Sequence, residues 1–379
     1  MMAVQPSIIS IGTAVPPFVL EQEESGRLIE EHFKGDLTPR SIDVLRKVFT
    51  HPSVRRRHIS VGSIDELGAL KNEDPDRRVE RFTKWAVDLS KRALRQAIDK
   101  AGMIIDDISA VIVNTCTGYI CPGIATYLFE QLDMKKDTPV YDLVGSGCGG
   151  AVPNIHLADK IVRSDPSAVV ACISVEISSA TFEMDNDIGL IVSNALFGDG
   201  AAAAIVAGSA KGLSIGPGAS AFFPESRDYV RFEYRHGRLH NRLDPQLPKA
   251  IRGTVPPFLN KLLEKKGLRA GDVSYWALHP GGDKILTAIQ EELKLTDEKM
   301  LPARRILENY GNMSSPTVLF VLQRMMDLGM DNNTWCMMAA YGAGMSIHGC
   351  LLKNGEMGRW GDGEMGSLNH RSYFIFTVL

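Results

Sequence analysis

The chain has 379 residues, long enough for two domain-sized units or one large double unit. Apolar residues make up 44% of it and charged residues 23%, which is typical of a globular protein rather than a disordered one. A formal net charge of only -3 gives no reason to expect nucleic-acid binding, and no apolar run reaches the roughly 18 residues of a membrane helix. The N-terminus lacks a signal-peptide pattern, so we expect a cytoplasmic protein.

The six cysteines are dispersed along the chain, with no CxxC pair and no histidine at a zinc-site spacing. We therefore predict reduced thiols and no bound metal. No glycine fingerprint of a dinucleotide site occurs either.

The first half of the chain alternates helix-like and strand-like segments. An amphipathic pattern predicts a helix over 85–100, and an apolar run predicts a buried strand over 111–113. A glycine-rich turn around Cys148 is followed by a predicted helix over 152–163 and a predicted strand over 168–175.

The second half repeats this order of elements. Patterns predict a helix over 257–266, a strand over 276–278, a helix over 317–328 that follows a turn at Asn312, and a strand over 334–340. Alternating strands and helices favour an α/β fold in which helices cover the sheets. The repeated order indicates internal duplication.

These patterns divide the chain into three parts. We predict an N-terminal half over 1–210, a C-terminal half over 211–353 and a glycine-rich tail over 354–379 whose role we do not assign. We interpret residues 208–218 as the connection between the halves. We interpret residues 219–252 as a polar, aromatic and basic insert.

Cys148 is the first candidate for chemistry. It lies in the glycine-rich segment 145–150, between a strand-like run and a helix-like pattern. At a helix N-terminus, backbone N–H groups and the helix dipole favour a thiolate over a thiol. Cys172, Cys336 and Cys350 lie inside strand-like runs instead, where a cysteine is usually a small inert apolar residue.

A nucleophilic cysteine needs a base or ion-pair partner and a way to stabilise an oxyanion. His279 follows the strand predicted over 276–278 in a His-Pro-Gly-Gly sequence, and Asn312 lies in Gly-Asn-Met-Ser-Ser. Taken alone, either residue could simply belong to a turn. In a duplicated α/β fold, however, equivalent element ends converge between the halves, so both could meet Cys148.

These motifs, together with Leu-Phe-Gly-Asp-Gly-Ala at 196–201, occur in the order and approximate spacing of the type III polyketide synthases, the chalcone synthase-like enzymes. The chain resembles this family to about residue 353. The resemblance implies a thiolase fold with duplicated αβαβα layered halves and a homodimer. It also implies that malonyl-CoA condenses repeatedly onto an acyl-CoA starter, that the product cyclises to a pyrone or a resorcinol-like phenol, and that no cofactor is needed.

Two alternatives stay open at this point. The nearer one is a ketoacyl synthase III-like condensing enzyme of fatty acid initiation, which would depend on an acyl carrier protein. The other is a non-catalytic thiolase-fold subunit that supports a partner enzyme.

Carried over by position, the resemblance implies a role for each motif residue. Cys148 would hold the starter as a thioester, and His279 would pair with its thiolate. His279 and Asn312 would together donate hydrogen bonds to the malonyl thioester oxygen as carbon dioxide leaves. Phe197 matches a gatekeeper phenylalanine between the coenzyme A tunnel and the substrate cavity.

Further positions match the family's cavity and gate. They are Cys116, Ser178, Thr181, Asn241 and Ser314. Of these, Cys116 could also be a second nucleophile, and Asn241 lies near the position of a second gatekeeper phenylalanine.

The basic run Arg55, Arg56 and Arg57 permits two interpretations. It could be a solvated face or a patch of salt bridges in the dimer. It could also bind the phosphates of coenzyme A, because guanidinium groups suit bidentate phosphate contacts. The family has basic residues in this region, so we favour the coenzyme A clamp.

Overall fold

The computed structural model describes residues 5–355 of the chain. The strands in this part are β1 (Pro6–Ala14), β2 (Val19–Glu21), β3 (Arg56–His58), β4 (Ala110–Thr115), β5 (Val140–Val144), β6 (Val169–Ile177), β7 (Asp199–Gly208), β8 (Leu213–Phe222), β9 (Val230–Arg235), β10 (Arg238–Leu243), β11 (Tyr275–Leu278), β12 (Trp335–Gly342) and β13 (Ser346–Asn354). The helices are α1 (Gln22–Phe33), α2 (Pro39–Phe49), α3 (Ile64–Ala69), α4 (Pro75–Ala101), α5 (Ile124–Gln131), α6 (Ala151–Ser164), α7 (Ile188–Leu196), α8 (Leu247–Glu264), α9 (Asp283–Leu293), α10 (Asp297–Tyr310) and α11 (Thr317–Leu328).

Nine strands form one continuous sheet in the order β11-β12-β13-β8-β1-β7-β6-β4-β5. The first half supplies β1-β7-β6-β4-β5, and the second half supplies β8-β13-β12-β11 in the matching order. The halves join where β1 and β8 pair antiparallel, with Ile8 opposite Leu213. The α/β class and the duplication predicted from the sequence are therefore confirmed, with β5 as an additional strand of the first half.

Successive residues of a strand point to opposite sides of the sheet, and helices cover both of these sides. In β4, Val111 and Val113 pack with α4 and α5, whereas Ile112 packs with α6 on the other face. The helices α6 and α11 occupy equivalent places in the two halves. Their N-terminal ends are preceded by the two glycine turns that carry Cys148 and Asn312.

The long helix α4 shows how the sequence sets its limits. Its N-cap Asp74 accepts hydrogen bonds from the N–H groups of Asp76 and Arg77, and Pro75 takes the first helical position. It ends at Gly102, whose φ of 67° is a left-handed conformation that glycine adopts without strain. The prediction over 85–100 thus captured only the C-terminal two-thirds of this helix.

Three predicted segments differ from the structure. The connection predicted over 208–218 contains the first half of β8, because this strand begins at Leu213. The predicted insert over 219–252 contains the end of β8, the hairpin β9–β10 and the first turns of α8. Of the predicted tail over 354–379, Asn354 belongs to β13 and its buried amide donates to two carbonyls, while residues 356–379 lie outside the described residues.

Candidate active site

Cys148 lies in a single helical turn, Gly147–Gly149, between β5 and α6. The segment that links β12 to β13, and the first residues of β13, lie close to this turn. A Cβ atom at Gly147 would come within 2.9 Å of the backbone of Ala343, and one at Gly149 within 2.8 Å of the His348 ring. Glycine on both sides of the cysteine therefore permits the close approach that brings the second half to the sulfur.

His279 directly follows β11 and is 1% exposed. Its N–H donates to the carbonyl of Ala339 at 2.9 Å, and its carbonyl accepts from the N–H of Gly281 and the hydroxyl of Tyr341. The imidazole ring packs edge-on against the Tyr341 ring, with 5.5 Å between the centroids. These contacts fix the histidine at the end of the strand, as its place in the sequence predicted.

Asn312 is fixed by the segment that carries Phe197. Its N–H donates to the carbonyl of Leu196 at 2.9 Å, and its carbonyl accepts from Gly198 at 3.0 Å. Its side-chain oxygen accepts from the N–H of Ser314 at 2.7 Å. Because the oxygen is occupied in this way, the amide NH2 of Asn312 is the part left to face a substrate.

The three residues meet in one cleft of about 30 Å³, which holds roughly one water-sized group. Cys148, His279, Asn312 and Phe197 line it together. Apolar side chains of the second half form much of the remaining wall, namely Val230, Leu243, Leu247, Ile251, Ile285 and Met345. The arrangement places a nucleophile, a base and an amide donor in surroundings that exclude most water.

Burial strongly affects the ionisation of the cleft. It raises the pKa of Cys148 to about 12, although hydrogen bonds from Ser314 and Asn312 act in the opposite direction. Burial lowers the pKa of His279 to about 3. Burial therefore favours the neutral form of both groups, which is the opposite direction to the thiolate that we expected from the position before a helix. Within residues 5–355, the imidazole of His279 is the basic group that lines the cleft with the Cys148 sulfur.

Glu176 is a buried acid that the sequence analysis missed. It accepts hydrogen bonds from the N–H groups of Cys116 at 2.9 Å and Thr117 at 3.1 Å, and from the hydroxyl of Ser315 at 2.6 Å. Burial raises its pKa. A single acidic residue inside the otherwise apolar β6 was the available signal, because such residues are rarely buried without partners.

Cys116 and Ser314 belong to this Glu176 network. The Cys116 sulfur lies 3.3 Å from a Glu176 carboxylate oxygen and 3.5 Å from the Ser314 hydroxyl. Burial and the neighbouring carboxylate raise the pKa of Cys116 well above its ordinary value. Cys116 is thus a weak nucleophile beside Cys148, and Ser314 bridges the network to the Cys148 sulfur.

A second, larger cavity of about 380 Å³ lies on the other side of Phe197. Four of the predicted cavity residues line it: Phe197, Ser178, Thr181 and Asn241. Phe197 is the side chain shared with the small cleft, which is the position expected for a gate. The remaining wall comes largely from α1 and α3, for which the sequence analysis made no prediction.

Arg57 does not belong to a coenzyme A clamp, contrary to our prediction. It is 3% exposed, and its guanidinium donates to the carbonyls of Asn194 at 2.6 Å and Phe197 at 2.9 Å. The remaining nitrogens donate to Gln22 at 2.9 Å and Ser25 at 2.7 Å. With its donors satisfied inside the protein, Arg57 supports the gate segment instead.

Arg55 and Arg56 are placed differently. Both donate to the side-chain oxygen of Asn309, at 2.8 and 3.2 Å, and both retain solvent exposure. They are the members of the basic run that a phosphate could still reach.

Two family models together match almost the whole chain. The N-terminal domain of the chalcone and stilbene synthases matches residues 2–210, and the C-terminal domain matches residues 215–355. The chain belongs to the chalcone and stilbene synthase family. It is therefore a type III polyketide synthase, an acyl-transferring enzyme, and the ketoacyl synthase III-like alternative is not favoured.

Curated relatives in this family come from bacteria and plants. The 3,5-dihydroxyphenylacetyl-CoA synthase of Streptomyces toyocaensis is 27% identical over 360 residues, covering 92% of this chain and 90% of the relative. The phloroglucinol synthase of Pseudomonas fluorescens is 29% identical over 304 residues, covering 79% of this chain and 86% of the relative. Both relatives are named for phenolic products.

The fold has close counterparts among solved structures. The 1,3,6,8-tetrahydroxynaphthalene synthase of Streptomyces coelicolor superimposes with a TM-score of 0.86 at 24% identity, covering 92% of this chain and 99% of that one. This match confirms the thiolase fold of the polyketide synthase.

Type III polyketide synthases use coenzyme A thioesters as substrates. No group of three or more His, Cys, Asp or Glu side chains between residues 5 and 355 is arranged to hold a metal ion. In the same part of the chain, no helix combines the length and the apolar character needed to cross a membrane.

Proposed function

We propose that Cys148 carries the growing chain of this polyketide synthase. The sulfur attacks the carbonyl carbon of an acyl-CoA starter while its proton passes to His279, and coenzyme A leaves as the thiol. The low pKa of His279 makes the imidazole neutral beforehand and able to accept this proton only transiently. His279 becomes neutral again once this proton has moved to the leaving thiolate, and Cys148 is then the acyl thioester.

Malonyl-CoA extends the chain in the second half of the cycle. As carbon dioxide leaves, negative charge moves onto the thioester oxygen, where His279 and Asn312 donate hydrogen bonds. Each such donor in a water-poor site is worth about 3–4 kcal/mol of transition-state stabilisation. The enolate carbon then attacks the Cys148 thioester, forming a carbon–carbon bond and releasing the sulfur for the next transfer.

The observation that carries this proposal is the meeting of Cys148, His279 and Asn312 in one cleft closed by Phe197. Residues 1–210 would supply the nucleophile and residues 211–353 the other two groups. Arg55 and Arg56 would bind coenzyme A phosphates. The names of the relatives favour a phenolic product over a simple pyrone.

We also propose a homodimer in the cytoplasm. The strand β5 forms one edge of the large sheet and, with the segment after β4, exposes Tyr119, Tyr141 and Val144. Clustered apolar side chains at a sheet edge are typical of a protein interface. Light scattering should give twice the chain mass for the wild type, and the monomer mass for Val144→Asp.

The test is mass spectrometry of products from purified protein given malonyl-CoA, alone and with a panel of aliphatic and aromatic acyl-CoAs. Resorcinols, other phenols or pyrones would support the proposal. Acylation of Cys148 without any extension by malonyl-CoA would instead favour the carrier-protein-dependent condensing enzyme. Neither acylation nor product would favour a non-catalytic subunit.

A further inference from the structure

Arg57 is a buried cation that the mechanism proposed above does not use. Among residues 5–355, its hydrogen-bond acceptors are two backbone carbonyls, an amide oxygen and a hydroxyl, and none of them is a carboxylate. Burial lowers its pKa to about 10, so the guanidinium keeps its positive charge near neutral pH. A buried charge without a carboxylate in contact is costly, which points to a role for the charge and its hydrogen bonds rather than for bulk.

Asp199 is an acid whose charge favours the charged form of Arg57 through space. Its carboxylate oxygens accept from the N–H of Ser60 at 2.7 Å and from the N–H and the hydroxyl of Ser179 at 2.8 and 2.6 Å. Asp199 follows Phe197 by two residues, and Arg57 donates to the carbonyl of Phe197. The short segment 197–199 is therefore held at two points, by a cation and through its own anion.

One peptide unit connects Arg57 to the amide donor of the cleft. The carbonyl of Phe197 accepts from the guanidinium at 2.9 Å, and the N–H of the same peptide unit, on Gly198, donates to the carbonyl of Asn312 at 3.0 Å. A cation at the carbonyl polarises the peptide unit and strengthens its N–H as a donor, because hydrogen bonds in series reinforce one another. The charge of Arg57 thus acts on the backbone of Asn312 through a single peptide group.

The aliphatic stem of Arg57 also packs against the residue before Asn312. A Cβ atom at Gly311 would lie 2.8 Å from the Cγ atom of Arg57 and 3.1 Å from its Cδ atom. Gly311 has a φ of 67°, a left-handed conformation that glycine adopts without strain. Glycine at this position lets the stem approach the backbone of the turn. Arg57 therefore supports the Asn312 turn directly as well as through Phe197.

We propose that Arg57 is a positioning residue for malonyl decarboxylation, which holds the backbone of Asn312 so that its amide NH2 faces the thioester oxygen. This inference rests on the proposed role of Asn312 as a donor to that oxygen. Cys148 lies in a separate turn, and His279 is fixed by contacts within the second half. Loss of Arg57 should therefore slow decarboxylation more than acylation of Cys148.

The test measures two rates in each variant. They are the release of carbon dioxide from malonyl-CoA and the acylation of Cys148, followed by intact-protein mass, with the acyl-CoA that acylates the wild type fastest. Arg57→Met removes the charge and the hydrogen bonds, and it should slow decarboxylation by about 10- to 100-fold, as expected when a reacting group is displaced by up to about 1 Å. Arg57→Lys keeps a charge but lacks the planar fork that reaches several acceptors, so its loss should be smaller. It also serves as the test variant if Arg57→Met does not fold.

A double-mutant cycle with Asn312→Ala separates positioning from a general effect on the fold. If Arg57 acts through Asn312, changing Arg57 should alter decarboxylation by less than about twofold in a protein that already lacks the Asn312 amide. Losses that multiply in the double variant would overturn the inference. Equal losses of acylation and decarboxylation in the single variants would overturn it as well.

Arg163→Met is the matched control. Arg163 lies at the end of α6 and also donates to a backbone carbonyl, that of Ile215 at 3.2 Å, but it lines neither the cleft nor the larger cavity. The ratio of the two rates should keep its wild-type value in this variant. Failure of the proposed function looks different, because Asn312→Ala alone would then leave decarboxylation unchanged, and the inference would fall with it.

Discussion

The small cleft around Cys148 and the large cavity beyond Phe197 are built in different ways. Short glycine-flanked segments at the ends of strands and helices supply the reacting groups of the cleft, and both halves of the duplicated fold contribute. A large part of the cavity wall comes from α1 and α3, which lie outside the duplicated order of elements. If the proposed roles hold, reaction type and substrate choice are encoded in separate parts of the chain.

Phe197 is the point at which the two regions meet. Its carbonyl is held by Arg57, and its neighbours Leu196 and Gly198 hold Asn312. The same segment thus holds the gate residue Phe197 and the amide donor Asn312. A substitution at one of them should therefore also alter the position of the other.

Cys148→Ala should reduce chain extension by at least about 10⁴-fold, because no other described thiol reaches the cleft with comparable geometry. Product mass spectrometry measures the loss, and circular dichroism checks that the fold is unchanged. Cys350→Ala, which changes a cysteine of β13 that does not line the cleft, is the matched control and should retain activity. Full product from Cys148→Ala would refute the assignment of the nucleophile.

Asn312→Ala should slow decarboxylation of malonyl-CoA by about 10²- to 10³-fold, the usual cost of removing one oxyanion donor. Acylation of Cys148 should fall much less, since Asn312 acts on the malonyl oxygen. Release of carbon dioxide and intact-protein mass report the two steps separately. Asn332→Ala, at an exposed turn after α11, is the control, and a larger loss in acylation than in decarboxylation would contradict the proposed role.

Glu176→Ala should lower the free energy of unfolding by about 2–4 kcal/mol, because buried N–H groups of Cys116 and Thr117 would lose their acceptor. Glu176→Gln keeps an acceptor oxygen and should cost less. Urea denaturation measures both variants. Equal stability of Glu176→Ala and the wild type would show that this network does not support the cleft.

Ser314→Ala should slow alkylation of Cys148 by iodoacetamide a few-fold, because the Ser314 hydrogen bond lowers the pKa of the thiol. In both proteins the rate should increase with pH, since burial raises this pKa to about 12 and only the thiolate reacts. Ser178→Ala removes a hydroxyl on the cavity side of Phe197 and should leave the rate unchanged. A rate independent of pH between 6 and 9 would instead indicate a preformed ion pair with His279.

The sequence predicted the parts of the molecule that depend on local pattern. The helix α11 coincides with the prediction over 317–328, and Cys148, His279 and Asn312 meet as expected. Glycine turns and strand ends can be recognised from the local sequence. The duplication of the fold predicted that these turns and strand ends converge between the two halves.

The other features of the fold and the site depend on packing between segments that are distant in the sequence. A local sequence pattern does not predict such packing. Arg57 belongs to a basic run, but the carbonyls at the end of α7 require its guanidinium in the interior. The position of Cys148 before a helix favours a thiolate, but loss of solvent has the larger effect on its pKa. No sequence motif indicates that α1 and α3 contribute to the cavity.

In the proposed mechanism, Cys148 carries the growing chain. The most direct measurement is tandem mass spectrometry of proteolytic peptides from enzyme quenched during turnover with malonyl-CoA and an acyl-CoA starter. We predict a series of adducts on Cys148, each longer than the last by one ketide unit, and none on Cys116. A series on Cys116, or extension without any adduct on Cys148, would contradict the mechanism.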